Sequence, residues 1–469
     1  MKVWPLKFRE LSSDDFFFAD DSGLFFKAGR EFLDRYANDR LSSDDQAFLL
    51  RNGHAFESDG DLRQIGFFGR WSERQHIGSP SAYIVLVPTL RCDLNCTYCQ
   101  VSRAPLSARG FDWDEETLDQ VIQYLDQLEV EQIKIEFQGG EPLLRLDLLE
   151  SIVDFARKRF AVAEFVVCTN LQNIDARVLE FVSAKDVFVS TSLDGPREVH
   201  TRNRTAEAEL TEMFHQNLET ILSMFGQNKV SALPTIDPRN PPDPEDLIQS
   251  YEKYGFGSIF LRPINYQGFA RKSHSTSRLS SQWGDYYRRF LRHLIDRNYR
   301  TGRVFEEFYI ILCLKRILSA GRDGFFDLRN PNISDKKNVV IDYDGQIYPS
   351  DEARMLARVR RVDLSIGSVS DGLDYDKIAL LAPGNMNNFD PDCIHCPYQA
   401  FCGTDPIDDL SRSGKVDVPR SESWFCQKHL ELFDLAVELL YSNEAAVKYS
   451  LESWLGVPTL PKRLTPMLR

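Results

Sequence analysis

Residues 83–99 read YIVLVPTLRCDLNCTYC, and this stretch decides the fold. Tyr83-Ile84-Val85-Leu86-Val87 is an apolar run of strand length, fit for burial. It leads into Arg91-Cys92-Asp93-Leu94-Asn95-Cys96-Thr97-Tyr98-Cys99, a loop with the spacing C-x3-C-x2-C. Three thiolates on one short loop can bind three irons of a four-iron cluster, which leaves the fourth iron without a protein ligand. An open metal position is where a small molecule can coordinate. The other readings of the loop are a three-cysteine zinc site or incidental thiols.

Downstream the strand–helix rhythm repeats. Leu118, Val121, Ile122, Leu125 and Leu128 recur at helical spacing after the acidic start Asp114-Glu115-Glu116. Ile133, Ile135 and Phe137 alternate as a strand, and Leu148, Leu149, Ile152, Val153 and Phe155 form a second helical stripe. Further strands are expected at 165–167, 187–189, 230–233 and 259–261, with helices at 178–182, 218–225 and 247–254. Six strands alternating with helices imply an α/β fold with a parallel sheet wrapped by helices. Six units are too few for an eight-fold barrel, so an open, partial (β/α)6 barrel is expected. Its active site would lie at the carboxyl ends of the strands.

The whole chain has 469 residues and a net charge of −14. That charge argues against non-specific nucleic-acid binding and against an anionic membrane surface. The start, MKVWPLKFRE, has no apolar signal region, and no apolar run reaches the roughly 18 residues of a membrane span. A cytoplasmic protein is expected, with no nucleic-acid and no membrane partner. Nine cysteines, an odd number, favour metal or catalytic use over disulfides. Seven fall into two spaced groups; Cys168 and Cys313 stand alone.

The flanks divide into further units. Residues 1–75 read as a small α+β module: a hairpin of Phe16-Phe17-Phe18 and Leu24-Phe25-Phe26 around a Gly-containing loop, then a helix over 31–50. It serves either as a cap or for peptide docking. The barrel takes residues 76–267. A mainly helical connector takes 268–337, with Tyr286, Tyr287, Phe290, Leu291 and Leu294 as its stripe. Residues 338–430 hold the second cysteine group, and 431–469 form a helical tail.

The C-x3-C-x2-C loop after the first strand resembles the cluster loop of radical S-adenosylmethionine (SAM) enzymes, including the aromatic Tyr98 before the last cysteine. The resemblance implies a [4Fe-4S] cluster held by Cys92, Cys96 and Cys99. Its open iron would be chelated by SAM, which is cleaved to methionine and a 5′-deoxyadenosyl radical that abstracts hydrogen from the substrate. Further matches fall at successive strand ends. Gly139-Gly140-Glu141-Pro142 ends the second strand and, in the family, meets the methionine amino group. Thr169-Asn170 ends the third, with Leu171 where the family usually has glycine. Ser190-Thr191-Ser192-Leu193-Asp194-Gly195-Pro196 ends the fourth, followed by His200 and Arg204; Ser192 and Arg204 would reach the cofactor. Guanidinium suits a carboxylate because it can bond to it in bidentate fashion. His200 taken alone reads as a surface or helix-start residue.

The second group is Cys393, Cys396, Cys402 and Cys426. Four thiolates can close a cluster completely, or hold a structural zinc. The pattern resembles the SPASM domain of radical enzymes that modify peptides, which commonly carries two auxiliary clusters. Ser350 and Pro406 stand where the family has cysteines, so one auxiliary [4Fe-4S] cluster is expected, not two. Asp351 matches a proton-accepting aspartate of sulfatase-maturing relatives. A surface acidic pair with Glu352 is the plainer reading of it.

Tyr348-Pro349-Ser350-Asp351-Glu352-Ala353, the strand end at 190–196 and Phe401-Cys402-Gly403-Thr404-Asp405-Pro406 resemble the maturases of His-Xaa-Ser peptide systems. That resemblance implies a precursor peptide or small protein as substrate, a low-potential electron donor of flavodoxin or ferredoxin type, and a second radical SAM maturase as partner. The competing readings are a sulfatase-maturing protein modifier and, in another class, a non-catalytic iron–sulfur protein for electron transfer or redox sensing.

Overall fold

The computed structural model describes residues 1–75, 81–265, 267–273, 279–319, 325, 328, 330, 335–415 and 417–456. The end of the expected tail, 457–469, and parts of the 268–337 connector lie outside the described residues.

The strands Ser81–Thr89, Gln132–Gly139, Val162–Cys168, Val187–Ser192 and Val230–Leu233 lie side by side in chain order, all parallel. Ile84 pairs with Ile135, and Ile135 with Phe165, so the apolar residues of neighbouring strands stack on one face. Helices Glu115–Asp126, Leu146–Arg159, Ala176–Ser183 and Ala208–Phe225 cover that face. Asp114 and Asp175 start two of them by accepting from the amides of Thr117 and Val178, as N-cap carboxylates do.

The sixth strand differs from the expected run at 259–261. Ser258–Ile259 pairs with Glu306–Glu307, outside the main sheet. The next residues, Arg262–Pro263, pair in parallel with Thr235–Ile236, just beyond the fifth strand. Pro234 and Pro263 have no amide hydrogen to give a ladder, so this edge is broken into two-residue pieces.

At the other edge the sheet gains strands that the sequence pattern did not reveal. Asn338–Ile341 runs parallel to Ser81–Thr89, with Val340 opposite Val85. Gln346–Tyr348, Gly367–Ser368 and Gly372–Leu373 follow antiparallel, which makes nine strands. The sheet therefore crosses the expected boundary at 337/338.

In the N-terminal module, Lys7–Glu10, Asp15–Ala19 and Phe25–Gly29 form an antiparallel sheet with Phe18 opposite Phe26. The helix expected over 31–50 is two helices, Arg30–Ala37 and Ser43–Arg51. Ser42 accepts from the Asp45 amide and Asp45 from the Ser42 amide, a capping box that begins the second helix. A third helix, Leu62–Gln75, was not anticipated. The alternation of strand 15–19 divides its residues between two cores: Phe16 and Phe18 pack inside the module, and Phe17 and Ala19 join the main core.

In the connector, Tyr286, Tyr287, Phe290, Leu291 and Leu294 are buried on helix Leu279–Thr301, as their spacing implied. Among the described residues no helix is long and apolar enough to cross a membrane.

Candidate active site

The carboxyl ends of the parallel strands surround a cavity of about 250 Å³. Cys92, Cys96 and Cys99 line it from the loop after the first strand, and Gly139 and Gly140 from the end of the second. Asn170, Ser192, Arg204 and Tyr98 also face it. The residues of the first cysteine loop and those expected to hold the cofactor thus converge on one space, with one exception.

The exception is Glu141. Its carboxylate is buried and accepts from the amides of Asn170 (2.8 Å) and Leu143 (3.1 Å), so it braces the neighbouring loop and does not line the cavity. Burial pushes its carboxyl up to about 7, against the pull of the Asn170 amide.

The two glycines are dictated by a close approach. A Cβ on Gly139 would fall 2.2 Å from the Thr89 carbonyl oxygen, and one on Gly140 2.2 Å from that of Arg91. The Gly140 and Glu141 amides donate to these carbonyls at 3.0 and 2.8 Å. The turn is stitched to the root of the cysteine loop with bare backbone on the cavity side. Asp93 steadies the loop from within, accepting from Asn170 Nδ2 and Asn173 Nδ2, each at 2.6 Å.

Leu171, where the resemblance expects glycine, has φ 58°, in the left-handed region that favours glycine, and its side chain is fully buried. His200 also departs from its plain reading. It is buried against Phe214, ring centroids 4.3 Å apart, and neither ring nitrogen finds a hydrogen-bond partner among the described residues. Burial holds its imidazole well below the usual range.

The donor set fits an iron–sulfur cluster. Three thiols from one loop share a cavity whose opposite wall is glycine backbone, asparagine, serine and arginine. Burial pushes the Cys92 and Cys96 thiols up, while the Arg204 charge favours the Cys96 thiolate.

Sequence reading missed the polar floor of the barrel. Glu136 accepts from Tyr83 Oη (2.6 Å), Gln138 Nε2 (2.6 Å) and Cys168 Sγ (3.2 Å). Glu136 and Gln138 line both the cysteine cavity and an adjoining one of about 530 Å³. The signal was present: with Ile133, Ile135 and Phe137 facing the helices, Lys134, Glu136 and Gln138 must face the concave side. Asp351 lines this second cavity, its carboxylate held by Arg354 Nε and Nη2 at 2.8 and 2.6 Å. Glu352, its neighbour, faces the same space.

Ser350 and Pro406 line one further cavity, of about 120 Å³. Ser350 caps helix Asp351–Arg358 by accepting from the Ala353 amide, and Pro406 is the first residue of helix Pro406–Ser413. Both residue types suit helix starts. Cys393, Cys396, Cys402 and Cys426 are all half-buried, and Cys393, Cys396 and Cys426 lie close enough to Cys402 for their charges to oppose its ionisation. Cys313 is buried in the core.

A radical SAM superfamily model matches residues 86–250. The cysteine-type anaerobic sulfatase-maturating enzyme of Clostridium perfringens is 22% identical over 388 residues, 79% of this chain and 100% of that one. An uncharacterized protein of Methanocaldococcus jannaschii is 36% identical over 115 residues, and this chain spans only 38% of that protein's length. Two solved structures share the fold. Native anSMEcpe with bound AdoMet and Cp18Cys peptide has a TM-score of 0.60 at 17% identity, covering 76% of this chain and 97% of that one. Streptococcus suis SuiB bound to precursor peptide SuiA has a TM-score of 0.53 at 13% identity, covering 91% and 100%. Residues 86–250 thus form a radical SAM domain, of a superfamily that works with a four-iron cluster and SAM, and the chain shares its fold with these two structures.

Proposed function

We propose that this protein is a radical SAM enzyme that modifies a precursor peptide or small protein, of the kind found in His-Xaa-Ser systems. The observation that carries the reading is the contact between two cavities: the one walled by Cys92, Cys96 and Cys99 and the one reaching Asp351 share Glu136 and Gln138.

Cys92, Cys96 and Cys99 hold the catalytic cluster, and Cys393, Cys396, Cys402 and Cys426 hold one auxiliary cluster. When bound, the catalytic cluster and SAM supply a carbon radical able to take a hydrogen atom from the substrate. Gly139 and Gly140 offer bare backbone to the cofactor's methionine end. Arg204, Ser192 and Asn170 bind its polar groups, and Tyr98 sets the direction of Arg204. The larger cavity admits the peptide. There Asp351, fixed by Arg354, stands ready to accept a proton from the substrate.

A second reading, a protein modifier of the sulfatase-maturing kind, is favoured by the full-length likeness to the Clostridium perfringens enzyme and by Asp351 in the cavity. Turnover of a His-Xaa-Ser peptide against a sulfatase-derived peptide separates the two. The general test is anaerobic purification, iron and sulfide assay, and incubation with reductant and SAM. The expected result is about eight irons per chain and release of 5′-deoxyadenosine; zinc alone overturns the reading. Asp351→Asn should retain SAM cleavage and lose peptide modification.

A further inference from the structure

The N-terminal module lies against the loop that carries Cys396 and Cys402. Successive residues of a strand face opposite sides, so Lys7 and Arg9 share one face, with Ala19 and Phe17 opposite them in register. This face meets the cysteine loop. Arg9 Nε and Nη2 donate to the two Asp434 carboxylate oxygens, each at 2.7 Å, and Tyr398 Oη donates to the same carboxylate at 2.8 Å. Lys7 Nζ donates to the Gln399 side chain and pairs with Asp21 at 2.5 Å. The rings of Phe17 and Tyr398 lie 5.2 Å apart. From the module's last helix, Arg74 donates to the carbonyls of Arg316 (3.0 Å) and Ala400 (3.4 Å) and covers the Phe401 ring. Tyr398, Gln399, Ala400 and Phe401 lie between Cys396 and Cys402. The module therefore grips nearly the whole of that loop.

It also brings charge. Four cations stand beside the two cysteine-bearing loops: Lys7 at Gln399 and Arg9 at Asp434, Arg316, which donates to the Phe401 carbonyl at 3.2 Å, and Arg420, which pairs with Asp390 next to the Cys393 amide. Two of these four cations come from the first ten residues of the chain. An iron–sulfur core with four thiolate ligands is negatively charged, and each added electron makes it more so. Nearby cations favour the reduced form, and nearby anions oppose it.

We infer that Lys7 and Arg9 complete the wall of the auxiliary-cluster site and set that cluster's reduction potential, so that residues 1–75 act on electron flow. This rests on the reading that Cys393, Cys396, Cys402 and Cys426 hold a cluster. Lys7 and Arg9 are positioning residues: they touch neither substrate nor cofactor ligands directly, and act through field and packing.

The test uses the full chain with Cys92, Cys96 and Cys99 all changed to Ala, so that only the second group can hold iron. Potentials are read by redox titration followed by electron paramagnetic resonance, beside an iron assay. About four irons per chain are expected in the parent. Arg9→Gln leaves Asp434 unpaired and should shift the midpoint to lower potential, and Lys7→Gln should shift it the same way. Asp434→Asn leaves Arg9 unpaired and should shift it upward. Arg9→Lys should stay near the parent. A purely structural contact would not give shifts of opposite sign for the two halves of one ion pair. Equal or same-direction shifts for Arg9→Gln and Asp434→Asn, with iron retained, overturn the inference. Should Arg9→Gln lose its iron, the upward shift of Asp434→Asn decides alone, and its absence overturns the inference. No iron in the parent overturns the ligand assignment and the inference with it.

Discussion

The Arg204 guanidinium donates to the Tyr98 hydroxyl at 2.8 Å, and that hydroxyl donates in turn to the buried Asp194 carboxylate. Asp194 also accepts from the Thr235 amide at 3.0 Å. A residue of the cysteine loop thus joins the end of the fourth strand to the segment that presents Arg204. Tyr98→Phe removes the joint and takes a donor from a buried carboxylate. The expected cost is about 1–3 kcal/mol of stability, measured by denaturant unfolding, with weaker SAM binding by calorimetry. Arg204→Lys should weaken SAM binding and leave stability nearly unchanged, since ammonium cannot bond to a carboxylate in bidentate fashion.

The two cysteine groups should separate by function. Cys96→Ala is expected to abolish 5′-deoxyadenosine release. Cys402→Ala should lower peptide modification far more than cofactor cleavage. Each should retain about four of the eight irons. Iron assay and product chromatography on oxygen-free protein check both.

Gly139 and Gly140 should tolerate no side chain. A Cβ at either would lie 2.2 Å from a backbone oxygen, and Gly139 also has φ 124°. Ala at either position should cost about 3 kcal/mol and reduce iron uptake at the first loop. Thermal unfolding and iron content report the two effects.

Leu171 should invert a familiar order. At ordinary helix positions Gly is about 1 kcal/mol worse than Ala. At φ 58° a residue with a Cβ carries a cost of about 1–2 kcal/mol that Gly escapes. Leu171→Ala loses the buried side chain and keeps that cost. Leu171→Gly loses the side chain and relieves it, so it should be no less stable than the Ala variant by denaturant midpoint.

Glu307 provides a pH test away from the cysteines. It is fully buried, accepts from Tyr287 and from the amides of Leu261 (3.1 Å) and Ile310 (2.8 Å), and burial pushes its carboxyl up to about 7. A carboxyl with a raised folded pKa keeps its proton longer in the folded state than in the unfolded one. Its contribution to stability is full below the unfolded value and is lost as pH rises to about 7. Glu307→Gln should remove one proton's share of the pH slope between these limits, about 1.4 kcal/mol per pH unit. Unfolding free energies measured from pH 5 to 8 check it.

Much of this architecture was legible because its signals are local. The run at 83–87, the alternation at 133–137 and the acidic start at 114–116 each declare an element within a few residues. The cysteine loop and the strand-end residues carried most of the candidate site the same way. What escaped depends on distant partners. Asn338–Ile341 looks like any short apolar strand, and nothing near it tells that it pairs with residues 83–86. Cys168 stood alone in sequence because its partner, Glu136, lies on the neighbouring strand. Helix Leu62–Gln75 was hidden because Leu62, Ile65 and Phe68 are exposed, so its apolar residues do not mark a buried stripe. His200 was misjudged because burial without a polar partner is uncommon for histidine.

The pairing of Asn338–Ile341 with Ser81–Thr89 sets a timetable for biosynthesis. One flank of that first apolar strand is taken by Gln132–Gly139 soon after it leaves the ribosome. The other stays bare until some two hundred further residues have been translated, a standing invitation to misassembly. A truncated chain ending before residue 338 would keep that invitation open, so aggregation of such a fragment would reflect a missing neighbour and not a flaw in the fragment's own packing.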